Sequence, residues 1–363
     1  PHSLGEVIDG VVKMIDNPDV TTQELMECIK GPDFPTGGII LGRKGIYDTY
    51  STGRGRIVTR AKTEVEPMPN GRQRIVVTEI PYMVNKSVLV AKIAELVHDK
   101  RLEGISDIRD ESDREGMRIV IELKRDVNSA VVLNYLYKHT QMQEAFGAIM
   151  LALVDGEPKV LSLHQMLYHY LEHQKDVIVR RTRYDLDKAE ARAHILEGLL
   201  IALDNIDEIV RIIRNSPNTA EAKVQLMERF ALSDKQAQAI LDMRLARLTG
   251  LERERLQEEY AELEKTIAYL RAVLADEKMV LGIIREEILA IKAKYADERR
   301  TQISVMDGEI DPEDLIQEDS VVVTLTHFGY VKRIPRTTYR SQNRGGKGIM
   351  GMTTREEDYA EQL

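Results

Sequence analysis

The chain has 363 residues, of which 43% are hydrophobic and 31% are charged, and its net charge of −9 at pH 7 argues against indiscriminate binding to polyanions. It contains no run of 18 apolar residues and no signal peptide, so we expect a soluble cytoplasmic protein without a membrane span. A single cysteine, Cys28, excludes an intrachain disulfide framework and fits a reducing compartment.

The first 160 residues alternate helix and strand patterns. LGEVIDGVVKMID and TTQELMECI predict amphipathic helices, the second with Thr21 or Thr22 as N-cap. RIVTRAKTEVE and RQRIVVTEI alternate as strands and are joined by an Asn-Gly hairpin. A helix, a strand (MRIVIELK), another helix and a hairpin around Asp155 and Gly156 follow. This order predicts a compact α+β domain over residues 1–160 within a multi-domain α+β chain.

From Ser162 to Tyr295 the sequence predicts helices. We divide them into an outbound arm at 161–204, shorter helices at 205–250 and a return arm at 251–300, which together form an antiparallel hairpin capped by a helical knob. The outbound apolar positions in heptad register are Leu163, Leu167, Tyr170, Val177, Tyr184, Ala191 and Ile195. On the return arm they are Leu256, Tyr260, Leu263, Ile267, Leu270, Leu274, Leu281, Ile284, Ile288, Ile291 and Tyr295. Only Glu277 interrupts this second series, which predicts an unbroken rod of about 60 Å.

After residue 300 the pattern becomes β-rich. RRTQISV and SVVVTLTHFGYVKRI predict strands, and Phe328 and Gly329 predict a hairpin turn in the second segment. We interpret residues 301–363 as a linker followed by the first strands of an all-β domain. Because the chain begins with Pro1 and ends without a clear stop, we expect it to be a piece of a longer protein.

Charge is distributed unevenly along the chain. Residues 43–62 hold six cations and one acid, residues 307–319 hold seven acids and no base, and residues 332–347 hold six cations and no acid. Arginines beside glycines are suited to contacts with a phosphate backbone. The alternatives are a solvated arginine-rich strand for the first cluster and a disordered linker for the second. No Walker motif predicts a nucleotide pocket, and His169 and His173 lack a third partner for a metal site.

Residue chemistry alone leaves three hypotheses open. The chain is a DNA-handling protein whose arm encloses a duplex, a coiled-coil interaction protein with incidental basic patches, or an enzyme domain with a helical insertion.

Several long segments resemble the A-subunit family of bacterial DNA gyrase. Gyrase is a type IIA DNA topoisomerase. The segments are PHSLGEVIDG, GPDFPTGGIILGRKGI, YSTGRGR, EIPYMVNKSVLVAKIAELV, GISDIRDESDREGMRIVIELKRD, QAQAILDMRLARLTGLE and QNRGGKG. The resemblance covers essentially the whole chain. The equivalent subunit of topoisomerase IV, a decatenase, is the nearest alternative. Residues 342–348 favour gyrase because they resemble its gyrase box, although Asn343 replaces the usual arginine, which puts the strength of wrapping in doubt.

The resemblance implies a role for each segment. Residues 1–160 would form a tower beside the bent gate DNA, the arms would enclose a chamber for a duplex, and residues 301–363 would begin a β-pinwheel DNA-wrapping domain. The expected DNA contacts are Arg43, Lys44, Arg54, Arg56, Arg60, Gln342, Arg344 and Lys347. The expected exit gate, through which two copies would dimerise, consists of Ile240, Leu241, Met243, Leu245 and Leu248.

The resemblance also implies what other parts of the enzyme supply. In this family a winged-helix domain carries the tyrosine that cleaves DNA, and it would precede Pro1. We therefore expect no catalytic residue, metal or cofactor in this segment and no DNA cleavage by it alone. Mg²⁺ and ATP would enter through the B subunit of an A2B2 assembly that introduces negative supercoils by passing one duplex through another. The expected location is the bacterial cytoplasm, on the nucleoid. A non-enzymatic coiled-coil DNA-binding scaffold stays as the alternative.

Overall fold

A computed structural model of the chain describes residues 1–244, 250–306, 321–336, 353 and 358–362. Its helices are α1 (Leu4–Asp16), α2 (Thr22–Cys28), α3 (Lys44–Thr52), α4 (Lys86–His98), α5 (Ser129–His139), α6 (Leu163–Asp204), α7 (Ile206–Asn215), α8 (Thr219–Phe230), α9 (Asp234–Leu241), α10 (Gly250–Ala275) and α11 (Glu277–Tyr295). Its strands are β1 (Ile39–Leu41), β2 (Arg54–Arg60), β3 (Lys62–Pro67), β4 (Gln73–Glu79), β5 (Ile105–Asp110), β6 (Ile119–Leu123), β7 (Gln143–Ile149), β8 (Leu151–Val154), β9 (Glu157–Val160), β10 (Gln302–Ser304), β11 (Val321–Thr326), β12 (Val331–Pro335) and β13 (Ala360–Gln362).

The elements fall into two compact units that each use several stretches of the chain. Unit 1 comprises Pro1–Asp33, Lys44–Arg56 and Gly147–Arg299, and unit 2 comprises Phe34–Arg43, Ile57–Phe146 and Arg300–Leu363. The predicted mixture of helices and strands is therefore present. The finer division into tower, arms and knob stays a prediction.

The main sheet of unit 2 has the strand order β3-β4-β6-β5, with all neighbours antiparallel. Alternate residues of β4 and β6, including Ile75, Ile121 and Leu123, point into a core that α4 and α5 cover. Both helices begin at asparagine N-caps, Asn85 and Asn128, whose side chains accept hydrogen bonds from first-turn amides. The predicted hairpin between β3 and β4 is confirmed.

The opposite face of this sheet carries a network of ion pairs. The Glu122 carboxylate, whose side chain is 14% exposed, lies 2.7 Å from Arg109 Nη1 and 3.3 Å from Arg72 Nη2. Glu66 contacts Arg74 at 2.6 Å and Arg118 at 3.2 Å. Charged residues on adjacent strands thus lie opposite partners of the other sign across this face.

A second sheet has the order β10-β1-β2-β7, and β1 pairs antiparallel with β2 and parallel with β10. Two predictions are wrong here. RIVTRAKTEVE is not one strand, because the chain passes from β2 to β3 at Ala61, whose amide donates to the Met142 carbonyl. RRTQISV does not join the C-terminal strands, because Thr301 is buried against Phe34 and β10 completes this sheet.

The C-terminal strands form a separate antiparallel sheet of order β12-β11-β13. Gly329 has φ +83° and its amide donates to the Thr326 carbonyl at 2.9 Å. Glycine adopts this left-handed conformation without a steric penalty. The predicted turn at Phe328 and Gly329 is confirmed.

Unit 1 begins with α1 and α2, both predicted from the sequence. Thr21 and Glu24 form a capping box at the start of α2, in which each side chain accepts from the other residue's amide. β8 and β9 form the predicted hairpin, with Asp155 at φ 53° and Gly156 at φ 82° in its two-residue turn.

The long helix α6 packs against α10 in the opposite direction. Ion pairs join Asp204 to Arg253, Arg192 to Glu259 and Glu190 to Arg271. Residue numbers fall along α6 while those of their partners rise along α10, so the two helices are antiparallel. The predicted outbound register is wrong at Tyr170, Tyr184 and Ala191, which are exposed, whereas Val177 is half-buried and Ile195 packs against a core. The residues buried on α6 are Leu163, Leu167, Leu171, Ile178, Thr182, Ala189, Ala193, Leu196, Gly198, Leu199 and Ala202. Small residues in the middle of this series allow the Leu- and Ile-rich face of α10 to pack closely.

The return arm is not a continuous rod. Asp276 has φ −129° and ψ 110°, which ends α10, and its side chain caps α11 by accepting from the Lys278 amide at 2.9 Å. Beyond this break the predicted positions Ile284 and Ile288 are buried, at 1% and 5% exposed, but Val280 at 4% rather than Leu281 is the buried residue of the first turn. Ile291 and Tyr295, which the heptad pattern predicted to be packed, are 45% and 60% exposed. Glu277 contacts Lys175 of α6 at 2.6 Å.

The helices α7, α8 and α9 pack with the end of α6 and the start of α10 around a common core. Its buried members are Leu196, Leu199, Ala202, Ile209, Leu226, Leu232, Ala237, Ile240 and Leu256. Gly198 lies so close to Gln236 that a Cβ would be 2.7 Å from the glutamine side chain. A side chain at position 198 would therefore push α9 away from α6.

Candidate functional site

Arg54 and Arg56 form the best-defined part of the predicted DNA-contact surface. They lie two residues apart on β2 and therefore on the same face of the strand, and both side chains are exposed. Neither forms an ion pair with another residue in the described part of the chain. Two free guanidinium groups on one rigid strand can each bind a phosphate oxygen.

The glycines beside these arginines are required by the packing of the protein itself, whereas the sequence predicted that they allow a phosphate backbone to approach. Gly53 has φ +80°, and a Cβ there would lie 2.5 Å from the Leu161 carbonyl oxygen. A Cβ on Gly55 would lie 2.1 Å from Thr49 Oγ1, inside α3. These glycines let neighbouring backbone pack against β2, and the arginines consequently point to the other side.

Lys44 and Arg43 are both exposed and have no ion-pair partner among the described residues. Lys44 is the first residue of α3, a helix that the sequence interpretation missed. Its short run, KGIYDTYST, has a weak apolar stripe in which Ile46 and Tyr50 supply the buried face. Arg43 belongs to unit 2 and Lys44 to unit 1.

Arg60 differs from the other predicted contacts because its side chain is used within unit 2. Its Nε donates to Gln143 Oε1 at 2.8 Å, and its guanidinium lies 4.3 Å from the centre of the Tyr137 ring. Burial lowers the pKa of Arg60. A half-buried, stacked guanidinium positions the strand, so its predicted contact with DNA has less structural support than those of Arg54 and Arg56.

The second predicted basic cluster falls mostly outside the described residues. Gln342, Arg344 and Lys347 lie there, as does Asn343. Lys332 and Arg333 on β12 are described, and both are exposed.

The predicted exit-gate residues are distributed between a core and a surface. Ile240 is 3% exposed and belongs to the core of α6 to α10, so it packs within its own chain. Leu241 and Met243 are half-buried at the end of α9. Leu245 and Leu248 lie outside the described residues.

Sequence reasoning missed one group of cations. Arg101 lies between α4 and β5, and Lys124 and Arg125 lie between β6 and α5, yet the three line one cavity of unit 2. Arg101 precedes Lys124 and Arg125 by more than twenty residues, so no local run of charge in the sequence indicated that the three lie together.

The described ranges contain neither a candidate metal site nor a candidate membrane-spanning helix. No cluster of three His, Cys, Asp or Glu side chains there could hold a metal ion. No helix within those ranges is both long enough and apolar enough to cross a bilayer.

Comparison with known proteins shows the family of the chain. The family model for the A subunit of DNA gyrase/topoisomerase IV matches residues 1–289. The chain belongs to this family. The model for the DNA gyrase C-terminal domain, a beta-propeller, matches residues 320–360. The resemblance predicted from the sequence motifs is confirmed.

Curated relatives are named as the DNA gyrase A subunit. The protein from Clostridium acetobutylicum is 62% identical over 363 residues, and that from Halalkalibacterium halodurans is 61% identical over 363 residues. Each alignment covers all of this chain and 44% of the relative. The protein from Staphylococcus epidermidis is 55% identical over 365 residues, with 41% of its length covered. The chain thus spans less than half the length of these members of the gyrase A family.

Proposed function

We propose that this chain is the DNA-holding and exit-gate segment of a gyrase A subunit in a type IIA topoisomerase. In this proposal two A and two B subunits work in the bacterial cytoplasm and introduce negative supercoils by passing one duplex through another. Mg²⁺ and ATP enter through the B subunit. The family membership of residues 1–289 supports a type IIA subunit of either kind, and the gyrase-type match at residues 320–360 together with relatives named as gyrase A supports gyrase over topoisomerase IV.

The observation that carries the DNA-binding part is the pair of exposed, unpaired arginines on β2. Arg54 and Arg56 are fixed to one face of a strand whose other side packs on α3 through Gly55. Their contacts with phosphates position a duplex without reading its bases. Binding should therefore be insensitive to sequence and should weaken as salt rises.

The test is a titration of this chain with a labelled duplex of about 40 base pairs at several salt concentrations. Replacing Arg54 and Arg56 by glutamine should weaken binding to unrelated sequences equally. It should also lower the salt slope by about 2, since each lost phosphate contact removes about 0.9. The control is Arg180→Gln with Arg255→Gln, two exposed arginines that pair within their own helices. A sequence-selective loss, or equal effects of the two double variants, would contradict the proposal.

The exit gate is the second part of the proposal. The half-buried Leu241 and Met243 lie at the end of α9, next to the core of α6 to α10, and a modest apolar patch there suits a contact that opens and closes in each cycle. Leu241→Glu should convert a dimer to a monomer in sedimentation while leaving the helical circular dichroism intact. An unchanged mass would show that dimerisation, if present, uses another surface. Ile240→Glu is the comparison variant and should unfold the helices, because Ile240 lies in the core.

The proposal assigns no cleavage chemistry to the residues of this chain. Incubation with DNA and Mg²⁺ followed by denaturation should leave no covalent protein–DNA adduct. Recovery of such an adduct would contradict this assignment, and the site of attachment would identify the nucleophile.

A further inference from the structure

A basic cavity of about 470 Å³ lies at one end of the main sheet in unit 2. Arg101 from the loop after α4 and Lys124 and Arg125 from the loop after β6 line it, together with Gly104, Val127 and Tyr135. The Lys124 amide donates to the Gly104 carbonyl at 2.7 Å, which holds the two loops side by side. The cavity is therefore built by two loops that are fixed to each other.

The cations of this cavity are not used to neutralise the protein's own acids. Arg101, Lys124 and Arg125 are exposed and form no ion pair with other described residues. On the opposite face of the same sheet, by contrast, the arginines are paired with carboxylates. One acid, Glu103, also lines the cavity. Three free cations around one opening create a positive potential that favours an anion.

The positive field extends along α5. The ring of Tyr135 contacts that of His139 in a tilted arrangement, with ring centres 4.2 Å apart. Burial, followed by the charges of Arg101 and Lys138, lowers the pKa of His139. Lys138 therefore belongs to the same electropositive end of the unit as Arg101.

The floor of the cavity is rigid and closely packed. A Cβ on Gly104, which has φ +104°, would lie 2.9 Å from Val127 Cγ1, so only glycine allows the two loops to approach this closely. Leu102 and Val132 beneath them are 6% and 3% exposed. A fixed floor keeps the charged groups in place before a ligand arrives, which reduces the ordering cost of binding.

We propose that this cavity binds backbone phosphates of duplex DNA and forms a second phosphate-contact surface in addition to Arg54 and Arg56. This inference rests on the proposed function as a DNA-holding segment. An acidic protein partner fits less well because no large hydrophobic side chain that lines the cavity is among the exposed ones, and protein interfaces depend on such anchors. Point charges on loops are instead suited to a polyanion.

The first test compares three double variants of this chain in the duplex titration at several salt concentrations. Lys124→Gln with Arg125→Gln should weaken binding roughly tenfold at about 0.1 M salt and lower the salt slope by about 2. Arg54→Gln with Arg56→Gln reports on the other surface. Lys92→Gln with Lys265→Gln is the charge-matched control, since both lysines are exposed and pair within their own helices.

The outcomes separate this inference from the proposed function. A loss in the Arg54 and Arg56 variant with no loss in the Lys124 and Arg125 variant would overturn the cavity assignment alone. An absence of DNA binding by the unmodified chain would overturn both. If the Lys124 and Arg125 variant lost saturable binding of inorganic pyrophosphate but kept full affinity for DNA, the cavity would be a small-anion site and the inference would be wrong.

The second test is a lysine footprint on the unmodified chain. Acetylation of Lys124, followed by mass spectrometry of its peptide, should slow at least severalfold when the duplex is added at saturating concentration. Lys92 should react at the same rate with and without DNA. Equal rates for Lys124 in both conditions would show that DNA does not cover this cavity.

Discussion

The guanidinium of Arg299 donates two parallel hydrogen bonds to the Glu6 carboxylate, from Nε to Oε1 at 2.8 Å and from Nη2 to Oε2 at 2.6 Å. It also donates to the carbonyls of Gly31 and Pro32, each at 2.7 Å. The residue that follows the return helices is thereby fixed to α1 and to the loop after α2. Both charged side chains are largely buried, at 18% and 16% exposed.

Arg299→Lys should destabilise unit 1 although it preserves the charge. A lysine ammonium cannot reproduce the forked geometry, so it would leave Glu6 Oε1 or the carbonyls of Gly31 and Pro32 without the donor that Arg299 supplies, although Glu6 Oε2 would keep the Lys30 amide at 3.1 Å. We expect a loss of about 1–3 kcal/mol in the free energy of unfolding, measured in urea. Arg285→Lys is the control, because Arg285 makes an exposed pair with Asp16 and should change stability by less than about 0.5 kcal/mol. Equal losses would show that the forked contact contributes nothing special.

The helical glycines Gly198 and Gly282 should respond to alanine in opposite ways. A Cβ on Gly198 would press on Gln236 at 2.7 Å, whereas one on Gly282 in α11 would meet nothing within 4 Å. Gly282→Ala should stabilise the protein by about 0.5–1 kcal/mol because alanine is the better helix former. Gly198→Ala should instead destabilise it by about 1–3 kcal/mol through overpacking between α6 and α9. Thermal unfolding of both variants checks the prediction, and stabilisation by both would refute the close approach.

The sequence predicted the elements whose signals are local, and missed those that depend on packing. The capping box at Thr21 and the turn at Asp155 and Gly156 are short-range patterns, and both are present. The break at Asp276 escaped prediction because apolar residues continue at heptad spacing on both sides, while one local cap decides where α11 begins. The outbound register was wrong because Ala189 and other small residues, rather than larger ones, face α10.

The candidate site divides in the same way. Arg54 and Arg56 were visible as neighbours in the sequence. That Arg60 stacks on Tyr137, and that Arg101 meets Lys124 at one cavity, follows from the pairing of strands. No linear charge pattern contains that information.

The hydrogen bond between His2 and the buried Tyr50 should make stability depend on pH. Their Nε2 and hydroxyl oxygen are 2.7 Å apart. Burial raises the pKa of Tyr50, and the partial burial of the imidazole beside it lowers the pKa of His2 from 6.5 to about 4. At neutral pH the tyrosine hydroxyl therefore donates to an uncharged imidazole.

Because the unfolded chain binds a proton at His2 near pH 6.5 and the folded chain only near pH 4, this contribution is complete above pH 6.5. It is lost as the pH falls from there to about 4. Because His2 is exposed and solvent screens the effect, we expect a loss of at most about 1 kcal/mol between about pH 7.5 and pH 5, and His2→Gln should remove it. Urea unfolding at both pH values measures it. The exposed His98→Gln should leave the loss unchanged, and a loss that persists in His2→Gln would assign it to other groups.

Glu122 should be the residue on which the ion-pair network of the main sheet depends most. Its side chain is 14% exposed and contacts both Arg72 and Arg109, and these two contacts join three strands or loops of unit 2. Glu122→Gln keeps the shape but removes the charge, so we expect a loss of about 2 kcal/mol. Glu262→Gln, which breaks an exposed pair with Lys265, should cost at most about 0.5 kcal/mol.

In about 1 M salt the effect at Glu262 should vanish, whereas that at Glu122 should largely persist because shielded pairs are screened less. Urea unfolding at about 0.1 M and 1 M salt measures both, and equal screening of the two effects would show that Glu122 acts as an ordinary surface charge.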